Sequence, residues 1–380
     1  MNVLVITDKL ITGGAENYFC KLENEMRHPS ISFHYAAAPG ELLRNLKNLE
    51  GFTELKRDRH LFNFLQIRKI ILEQEIDIVH ANSLRMVLLA TVLRRSIRRR
   101  FKIIYTKHNV TKLETNFPAW FAGILNRSVA KIITVSDFEK YELMKKGVRA
   151  ENISTIHNGV DLKQFAFQKK RSNGNFKIGI LARISEEKNH SFFIDIANQC
   201  KGIEDFQFFI AGDGPDQENV KSLITSLGLS EKVIMLGTVR EPEKFLKEMD
   251  VLLLTSNREV FPMVILEAMA VGTPVISIDR GGIGEAIING ETGFLISDHI
   301  SNLFLESIME LKRNEFKRLS MIYSARKKVE KSFSLQQMIK RTLGEYRNQS
   351  INLEKDSLKY QKKQFDRQAR LEVSKHDGNG

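Results

Sequence analysis

Two glutamates in the apolar segment 256–287 are the residues best placed for chemistry. Glu267 is the only charged residue between Glu259 and Asp279. A carboxylate buried alone in such a helix would cost several kcal/mol or become protonated, so it needs a hydrogen-bond donor close by. A pair of ligand hydroxyls would serve, and so would a lysine in the protein core. The segment alone leaves both interpretations open.

Backbone N–H groups in the same segment could also approach a ligand. Pro262 fits the first turn of the helix, which would place the N–H groups of Met263 and Val264 at a helix N-terminus, where anions are favoured. A glycine-rich turn, 280–285, follows the strand expected over 274–278. Its glycines could admit a phosphate or a sugar, but a tight turn with positive φ explains them equally well.

Two cations follow the strand expected over 176–182. Arg183 ends that strand, and Lys188 comes five residues later, before a helical pattern. At the carboxyl end of a central strand the pair would suit a diphosphate, because arginine can bind it bidentately and lysine acts as a point charge. The alternative is two solvated loop cations balanced by Glu186 and Glu187.

The first half of the chain offers a glycine turn and two histidines. Gly13 and Gly14 follow the first strand and open a helix, while His108 ends a strand and His80 lies within another. A histidine at a strand end can contact a substrate, but a structural histidine with satisfied hydrogen bonds is more common. The histidines show no paired metal spacing, and the chain has no Asp-x-Asp dipeptide frame, so we expect no catalytic metal.

The elements that position these residues alternate along the chain. Several apolar runs are too continuous to have a solvent-exposed face, which predicts parallel strands covered by helices on both sides. The polar stretch 169–175 separates two sets of such strands. The predicted strands are 2–7, 31–38, 77–82, 102–107, 131–136, 153–157, 176–182, 206–212, 233–237, 251–255 and 274–278. Only helical patterns follow from residue 301. We therefore predict an α/β protein with two doubly wound, Rossmann-like domains across a cleft, with ligands at the carboxyl ends of the strands.

Composition excludes several protein classes. The chain has 380 residues, 42% of them hydrophobic, and only two cysteines, Cys20 and Cys200. It can bury a core large enough for about two domains, and it is not disordered, collagen-like or a disulfide scaffold. We expect a reducing compartment, no secretion signal and no membrane-spanning helix.

The net charge of +12 is unevenly distributed. Residues 1–160 carry 25 Lys and Arg against 16 Asp and Glu. Within them, the segment 94–102 holds six cations and no acid, directly after the apolar run 86–93. This is either a solvated helix end or a patch that binds an anionic membrane surface. No basic module interleaved with aromatic residues is present, so we expect no nucleic-acid binding.

These pieces occur together and in an order that resembles the retaining nucleotide-sugar glycosyltransferases of family 4, which have the GT-B fold. The similarity covers about residues 1–345. The matching motifs are GGAE (13–16), DIVHANS (77–83), ITVSD (133–137), IHNGVDLKQF (156–165), ARISEEKN (182–189), FIAGDGP (209–215) and the glutamates at 259 and 267.

The resemblance implies a role for each candidate residue. Glu267 would hold the nucleotide ribose, and Glu259 would lie near the donor sugar as a catalytic residue together with His108. Arg183 and Lys188 would clamp the diphosphate. The remaining donor-binding candidates are Gly13, Gly14, Phe261, Pro262, Met263 and Val264. Ser136 would lie on the acceptor side.

The resemblance also implies the domain division. Residues 1–165 would form the acceptor-side domain, joined by a crossover helix at about 334–346. Residues 166–333 would bind the nucleotide-sugar, and 351–380 would be a polar tail. Many relatives have glycine where this chain has Val260 and Ala182. If position 260 needs positive φ, a β-branched residue there is costly, and the loop or the donor preference would differ.

The activity implied by the resemblance is transfer of a sugar, with retention and without a metal or other cofactor. The donor would be a nucleotide-sugar, UDP-linked before GDP-linked, and the acceptor a hydroxyl of a glycan or lipid-linked acceptor in lipopolysaccharide or capsule biosynthesis. The protein would be cytoplasmic, peripheral on the inner face of the cell membrane. A GT-B sugar-nucleotide epimerase and a non-catalytic GT-B scaffold subunit of a transferase complex are the alternatives.

Overall fold

A computed structural model describes residues 1–11, 13–97, 99–169 and 174–351. The chain forms two compact units. The first contains residues 1–133 and 143–154 and the described residues from 339 onward; the second contains 134–142 and 155–338. Residues 155–165 thus belong to the second unit, and the domain boundary after residue 165 stays a prediction.

The first sheet has seven strands. They are β1 (Asn2–Lys9), β2 (Ser32–Ala38), β3 (Phe52–Glu54), β4 (Ile78–Ala81), β5 (Lys102–Lys107), β6 (Lys131–Thr134) and β7 (Ile153–Thr155), in the order β3-β2-β1-β4-β5-β6-β7. The helices between them are α1 (Gly14–Glu25), α2 (His60–Glu73), α3 (Leu84–Ser96), α4 (Lys112–Asn116), α5 (Pro118–Ser128) and α6 (Asp137–Lys145). The pairings of β1 with β2 and β4, and of β4 with β5, are parallel.

The second sheet has six strands, paired in parallel. They are β8 (Phe176–Leu181), β9 (Phe206–Ala211), β10 (Val233–Gly237), β11 (Val251–Leu254), β12 (Val275–Ile278) and β13 (Phe294–Ile296), in the order β10-β9-β8-β11-β12-β13. Its helices are α7 (His190–Gln199), α8 (Gln217–Ser226), α9 (Pro242–Glu248), α10 (Met263–Val271), α11 (Ile283–Ala286), α12 (Ser301–Arg313) and α13 (Glu315–Ser332). A last helix, α14, covers 335–351.

Burial explains why the strands are readable in the sequence. All four residues of β4 and all four of β11 are buried, because helices cover both faces of each sheet. Each fully buried Val, Ile or Leu side chain contributes about 1.5–3 kcal/mol to the stability of the folded protein. The predicted α/β class with doubly wound parallel sheets is confirmed.

The structure differs from the predicted elements at the edges of the two sheets and at the last helix. The short edge strands β3 and β13 were not predicted, whereas the equally short β7 lay within the predicted strand 153–157; three residues carry little pattern to distinguish a strand from a loop. Helix α14 extends past the predicted end at 346, and of the predicted tail 351–380 only residue 351 lies within the described residues. Among the described residues, no helix combines the length and apolar character needed to cross a membrane.

Candidate active site

A buried carboxylate lies at the carboxyl edge of the second sheet. Glu259 follows β11, and its side chain is 8% exposed. Its Oε1 accepts hydrogen bonds from Lys188 Nζ at 2.6 Å and from Ser256 Oγ at 2.7 Å. Lys188 comes from the loop after β8, the neighbour of β11 in the sheet. Glu259 and Lys188, both predicted site residues, are therefore brought into direct contact.

The loops that carry this pair are bonded to each other. The backbone N–H of Asn257 donates to the carbonyl of Glu187 at 2.9 Å, and its side chain donates to the carbonyl of Glu186 at 3.2 Å. Asn189 donates to the side chain of Asn257 at 3.1 Å and adopts left-handed backbone, with φ of 50°, which asparagine tolerates. Lys188 therefore sits on a fixed loop.

Arg183 differs from Lys188 in having no side-chain partner among the described residues. It is exposed and lies two residues after the end of β8. Its backbone is held by close packing, because a Cβ on Gly212 would lie 2.0 Å from the carbonyl oxygen of Ala182, and one on Gly214 would lie 2.1 Å from that of Ile184. Arg183 therefore combines a fixed backbone with an exposed guanidinium that could bind an anion.

The glycine-rich turn after β12 packs against the loop that carries Glu259. Gly281 has φ of 62°, and a Cβ there would lie 1.8 Å from the carbonyl oxygen of Glu259. The N–H of Gly282 donates to the carbonyl of Val260 at 3.0 Å, which a Cβ on Gly282 would approach to 2.4 Å. Positive φ and close backbone packing together explain these glycines.

The two departures from the family pattern cause no backbone strain. Among the described residues other than glycine, only Glu75 and Asn189 have positive φ. Val260 and Ala182 therefore adopt backbone conformations that ordinary side chains accept, and position 260 does not require glycine.

Helix α10 begins one residue later than predicted. Pro262 is its N-cap, with φ of −73° and ψ of 127°, and Met263 is its first residue. Met263, Val264 and Glu267 are the half-buried residues of this otherwise buried helix. Residues three and four apart share a helix face, so Glu267 lies on the same face as the first-turn residues. Phe261, just before the cap, is buried.

Ser136 is completely buried and has a local partner. Its Oγ accepts a hydrogen bond from the N–H of Glu139 at 3.1 Å, which caps the start of α6. A Cβ on Gly282 would lie 2.6 Å from the Cβ of Ser136. Ser136, itself part of the second unit, thus packs against the glycine turn of that unit, and its acceptor-side role stays a prediction.

Glu285, which the sequence reasoning missed, connects three distant parts of the chain. Its carboxylate accepts from the N–H groups of Asp137 and Phe138, both at 2.8 Å, and contacts His157 Nε2 at 2.6 Å. Burial raises the pKa of Glu285, but the bonds from His157 and the two amides outweigh it, so the pKa lies below its usual value. The only sequence signal was its place in the glycine-rich turn.

Asp137, His157 and Glu285 also form a group whose ligand atoms lie within 4.8 Å of one another, as a metal site would require. The sequence reasoning did not identify this group. Its carboxylates already have protein donors, since Thr155 Oγ1 donates to Asp137 at 2.5 Å and Glu285 accepts the three bonds above. The geometry is therefore explained without an ion.

His80 is a structural histidine of the first unit. Its Nδ1 lies 2.6 Å from the hydroxyl of Tyr346 on α14, and its Nε2 lies 2.6 Å from Thr106 Oγ1. Burial, with a smaller effect of His108, lowers the pKa of His80 to about 3. The imidazole is neutral at pH 7 and joins α14 to β5.

His108, the predicted catalytic histidine, is bonded differently. Its Nε2 is buried and has no hydrogen-bond partner among the described residues, while its ring lies 4.7 Å from that of Tyr18. Burial, followed by the charge of Lys107, lowers the pKa of His108 to about 3. At neutral pH this side chain can accept a proton or a hydrogen bond but is not a cation.

Gly13 and Gly14 open α1, as predicted. Gly13 is the N-cap with extended backbone, and a Cβ there would lie 2.4 Å from the carboxylate of Glu16. A Cβ on Gly14 would meet nothing within 4 Å. The first glycine thus has a local packing reason, and the second leaves open space at the start of the helix.

The chain matches two family models and several known proteins. The model described as Glycosyltransferase Family 4 matches residues 12–164, and that described as Glycosyl transferases group 1 matches 163–328. The chain is 26% identical over 340 residues to the capsular polysaccharide biosynthesis glycosyltransferase CapM of Staphylococcus aureus, covering 82% of this chain and 88% of that protein. It is 27% identical over 286 residues to the lipopolysaccharide 1,6-galactosyltransferase of Salmonella typhimurium, covering 69% and 74%.

The fold has solved counterparts. The structure of Anabaena Alr3699/HepE in complex with UDP superposes with a TM-score of 0.79 at 22% identity, covering 92% of this chain and 100% of that one. Two parallel sheets and two successive family matches agree with this likeness. The chain belongs to the GT-B glycosyltransferases, with a family 4 region followed by a group 1 region.

Proposed function

We propose that the protein transfers a sugar, with retention, from a UDP-sugar to a hydroxyl of a glycan or lipid-linked acceptor in cell-surface polysaccharide biosynthesis. The observation that carries the proposal is the contact between Lys188 and Glu259 at the carboxyl ends of the neighbouring strands β8 and β11, where Arg183 follows β8 and α10 follows β11. Support for the pathway comes from CapM and from the Salmonella galactosyltransferase, and support for the donor from the HepE complexes with UDP and UDP-glucose.

The diphosphate would bind Arg183 and the start of α10. Arg183 has no side-chain partner to give up within the described part of the chain, and the first-turn amides of a helix attract an anion by about 0.3–1 kcal/mol, more when partly buried. Lys188 would turn from Glu259 toward the phosphate, or contact both. Such protein cations would neutralise the leaving diphosphate in place of a metal, so activity should survive EDTA.

The ribose would bind Glu267, which shares a face of α10 with the residues of the first turn. Glu267→Gln keeps the shape but weakens the charge-assisted bonds that a carboxylate accepts from ribose hydroxyls. We expect a folded variant, judged by circular dichroism, with lower affinity for UDP. An unfolded variant would make this glutamate a structural residue.

Glu259 and His108 are the proposed catalytic residues. Glu259 would stabilise positive charge developing on the donor sugar, because the hydrogen bond from Ser256 holds its carboxylate in place. His108, neutral at pH 7, would accept a hydrogen bond from a sugar hydroxyl. Retention is tested by the anomeric configuration of the product in NMR spectra.

A surface of the first unit would bring the protein to an anionic membrane on the inner face of the cell. Leu88, Val92 and Arg95 are exposed on α3 and follow one another at helical spacing. Exposed apolar side chains with a terminal cation suit a lipid surface. Arg98 lies outside the described residues.

A screen of nucleotide-sugars by thermal shift tests the donor. A ligand at about 100 times its dissociation constant should add roughly 2.7 kcal/mol to the stability of the folded protein. UDP-sugars should stabilise the protein and be slowly hydrolysed. Interconversion of UDP-sugars would indicate the epimerase alternative, and a protein that binds no nucleotide-sugar would fit the scaffold subunit.

A further inference from the structure

The loop between β11 and α10, residues 255–262, is held in its middle by the glycine turn after β12. The N–H of Gly282 donates to the carbonyl of Val260 at 3.0 Å. A Cβ on Gly281 would lie 1.8 Å from the carbonyl oxygen of Glu259, so the turn and the loop are in direct backbone contact. The position of two successive peptide groups of the loop therefore depends on the position of the turn.

The end of the same loop is held by a second segment of the chain. Asn158 Nδ2 donates to the carbonyl of Phe261 at 3.3 Å, and both residues are buried. The ring of His157 lies 5.1 Å from the ring of Phe261 and 5.3 Å from that of Phe333. These contacts fix the loop just before α10 begins at Met263.

One pair of side chains joins the two supports to each other. Glu285 lies in α11, directly after the glycine turn, and its Oε2 lies 2.6 Å from His157 Nε2. The contacts thus form a closed ring that runs from the turn through Glu285 and His157 to the end of the loop, and back along the loop to the turn. All of these residues belong to the second unit.

This pair is better placed to hold the turn than the other ion pair of the same turn. His157 is 17% exposed and Glu285 23%, and two backbone N–H groups at the start of α6 hold the carboxylate in one orientation. Arg280 contacts Asp298 at 3.2 Å, but the two side chains are 38% and 67% exposed. Exposed ion pairs contribute little because water competes for both charges.

We propose that Glu285 and His157 are positioning residues, which act through the glycine turn and Phe261 to fix the loop that carries Glu259 and leads into α10. The inference rests on the proposed function for the statement that this loop binds the donor, whereas the contacts alone carry the statement that the pair holds the loop. The competing explanation is that Glu285 only caps the start of α6, and it predicts no effect on the loop.

Hydrogen exchange of the full chain without ligand, followed by mass spectrometry, tests whether the pair holds the loop. Glu285→Gln replaces one acceptor oxygen by an amide nitrogen that cannot accept, and His157→Phe keeps a ring beside the loop while removing the bonding nitrogen. Each variant should speed exchange of peptides covering 256–264 about tenfold, because a hydrogen bond to a charged group is lost. The double variant should add little, since both changes break one contact.

Two controls separate positioning from a general loss of stability. Asp298→Asn makes the same kind of change at the exposed pair of the same turn, and it should leave exchange in 256–264 unchanged. Peptides covering β9, in the core of the second unit, should exchange at similar rates in all variants. An equal increase in β9 and in 256–264, or none in 256–264, would overturn the inference.

Calorimetry with UDP then tests what the loop does for the donor site. Affinity falls with the fraction of molecules whose site is correctly arranged, so Glu285→Gln should bind UDP about threefold more weakly, and Asp298→Asn as well as the wild type does. Faster exchange in the loop with unchanged UDP affinity would overturn the role in the donor site. A wild type that does not bind UDP would overturn the proposed function, while the exchange measurement still decides whether the pair holds the loop. If Glu285→Gln does not fold, His157→Phe carries both measurements.

Discussion

Each unit holds a lysine–glutamate pair, and the two pairs differ in their access to water. In the first unit Glu114 is completely buried and Lys107 is 1% exposed, with their charged atoms 3.0 Å apart and a second lysine, Lys146, at 2.7 Å. In the second unit Lys188 is 23% exposed and bonds Glu259, and Arg183, five residues earlier in the chain, has no side-chain partner among the described residues. A fully buried ion pair cannot exchange partners without leaving an unpaired charge in the core, whereas a partly solvated pair can. The first pair is therefore structural and the second is suited to a ligand.

The largest effect, on the stability of the fold, should come from breaking the buried pair of Lys107 and Glu114. Glu114→Ala removes one carboxylate partner from the buried Lys107 and also removes the capping box that Glu114 forms with Thr111 at the start of α4. Breaking a buried pair costs about 3–5 kcal/mol. Unfolding by urea should show a loss of this size, and Glu259→Ala should lose clearly less. Equal losses would remove the distinction between the two pairs.

Acid should affect both units through buried histidines. The pKa of His80 and of His108 is lowered to about 3 and that of His190, in the second unit, to about 4, in each case mainly by burial. The folded pKa lies below the unfolded value of 6.5, so the unfolded chain takes up protons first, and stability falls as the pH drops below about 6.5.

Between pH 7 and pH 5 each such histidine should cost about 2 kcal/mol. The first unit, with two of them, should unfold first on acidification, as followed by the fluorescence of Trp120, the one tryptophan of the chain, which lies in that unit. His80→Gln should reduce the dependence of the free energy of unfolding on pH by about the contribution of one histidine. An unchanged slope would show that His80 is protonated in the folded protein as readily as in the unfolded chain.

The partly solvated pair should respond to ligand instead of to unfolding. Arg183→Ala should weaken UDP by about tenfold or more, because a hydrogen bond to a charged group contributes about 1.5–3 kcal/mol, and should leave uridine unaffected. Lys188→Ala should have a smaller effect on UDP, since wild-type Lys188 already bonds Glu259. Calorimetry with UDP and uridine measures both. Equal weakening of the two ligands by either variant would contradict the diphosphate clamp.

The sequence predicted what depends on local pattern and missed what depends on distant contacts. The strands were readable because β4 and β11 are buried throughout, and Lys188 and Glu259 were recognisable by motif. The sequence could not distinguish His80, which is bonded at both ring nitrogens, from His108, whose buried Nε2 has no partner among the described residues. The Glu285 network joins positions 137, 157 and 285, so no local spacing could reveal it.

Two arginines of the basic segment 94–102 also differ in whether other parts of the protein bind their charges. The Nε of Arg99 donates to the carbonyl of Ile76 at 3.2 Å, and its guanidinium bonds Asp77 at 3.1 Å. Arg99 thus holds the start of β4 and is not available to lipid. Arg95, in the last turn of α3, is exposed and has no partner among the described residues.

Vesicle binding should therefore depend on Arg95 and not on Arg99, and this is the smallest effect we expect. A cation near an anionic surface contributes about 1 kcal/mol, so Arg95→Gln should lower partitioning to phosphatidylserine vesicles by about fivefold, and raised salt should lower it further. Arg99→Gln is the matched control: it should reduce stability through the lost bonds to Ile76 and Asp77 while changing partitioning little. Co-sedimentation with anionic and zwitterionic vesicles distinguishes the cases. Equal binding to both lipids, or a larger loss with Arg99→Gln than with Arg95→Gln, would leave the end of α3 as an ordinary solvated surface.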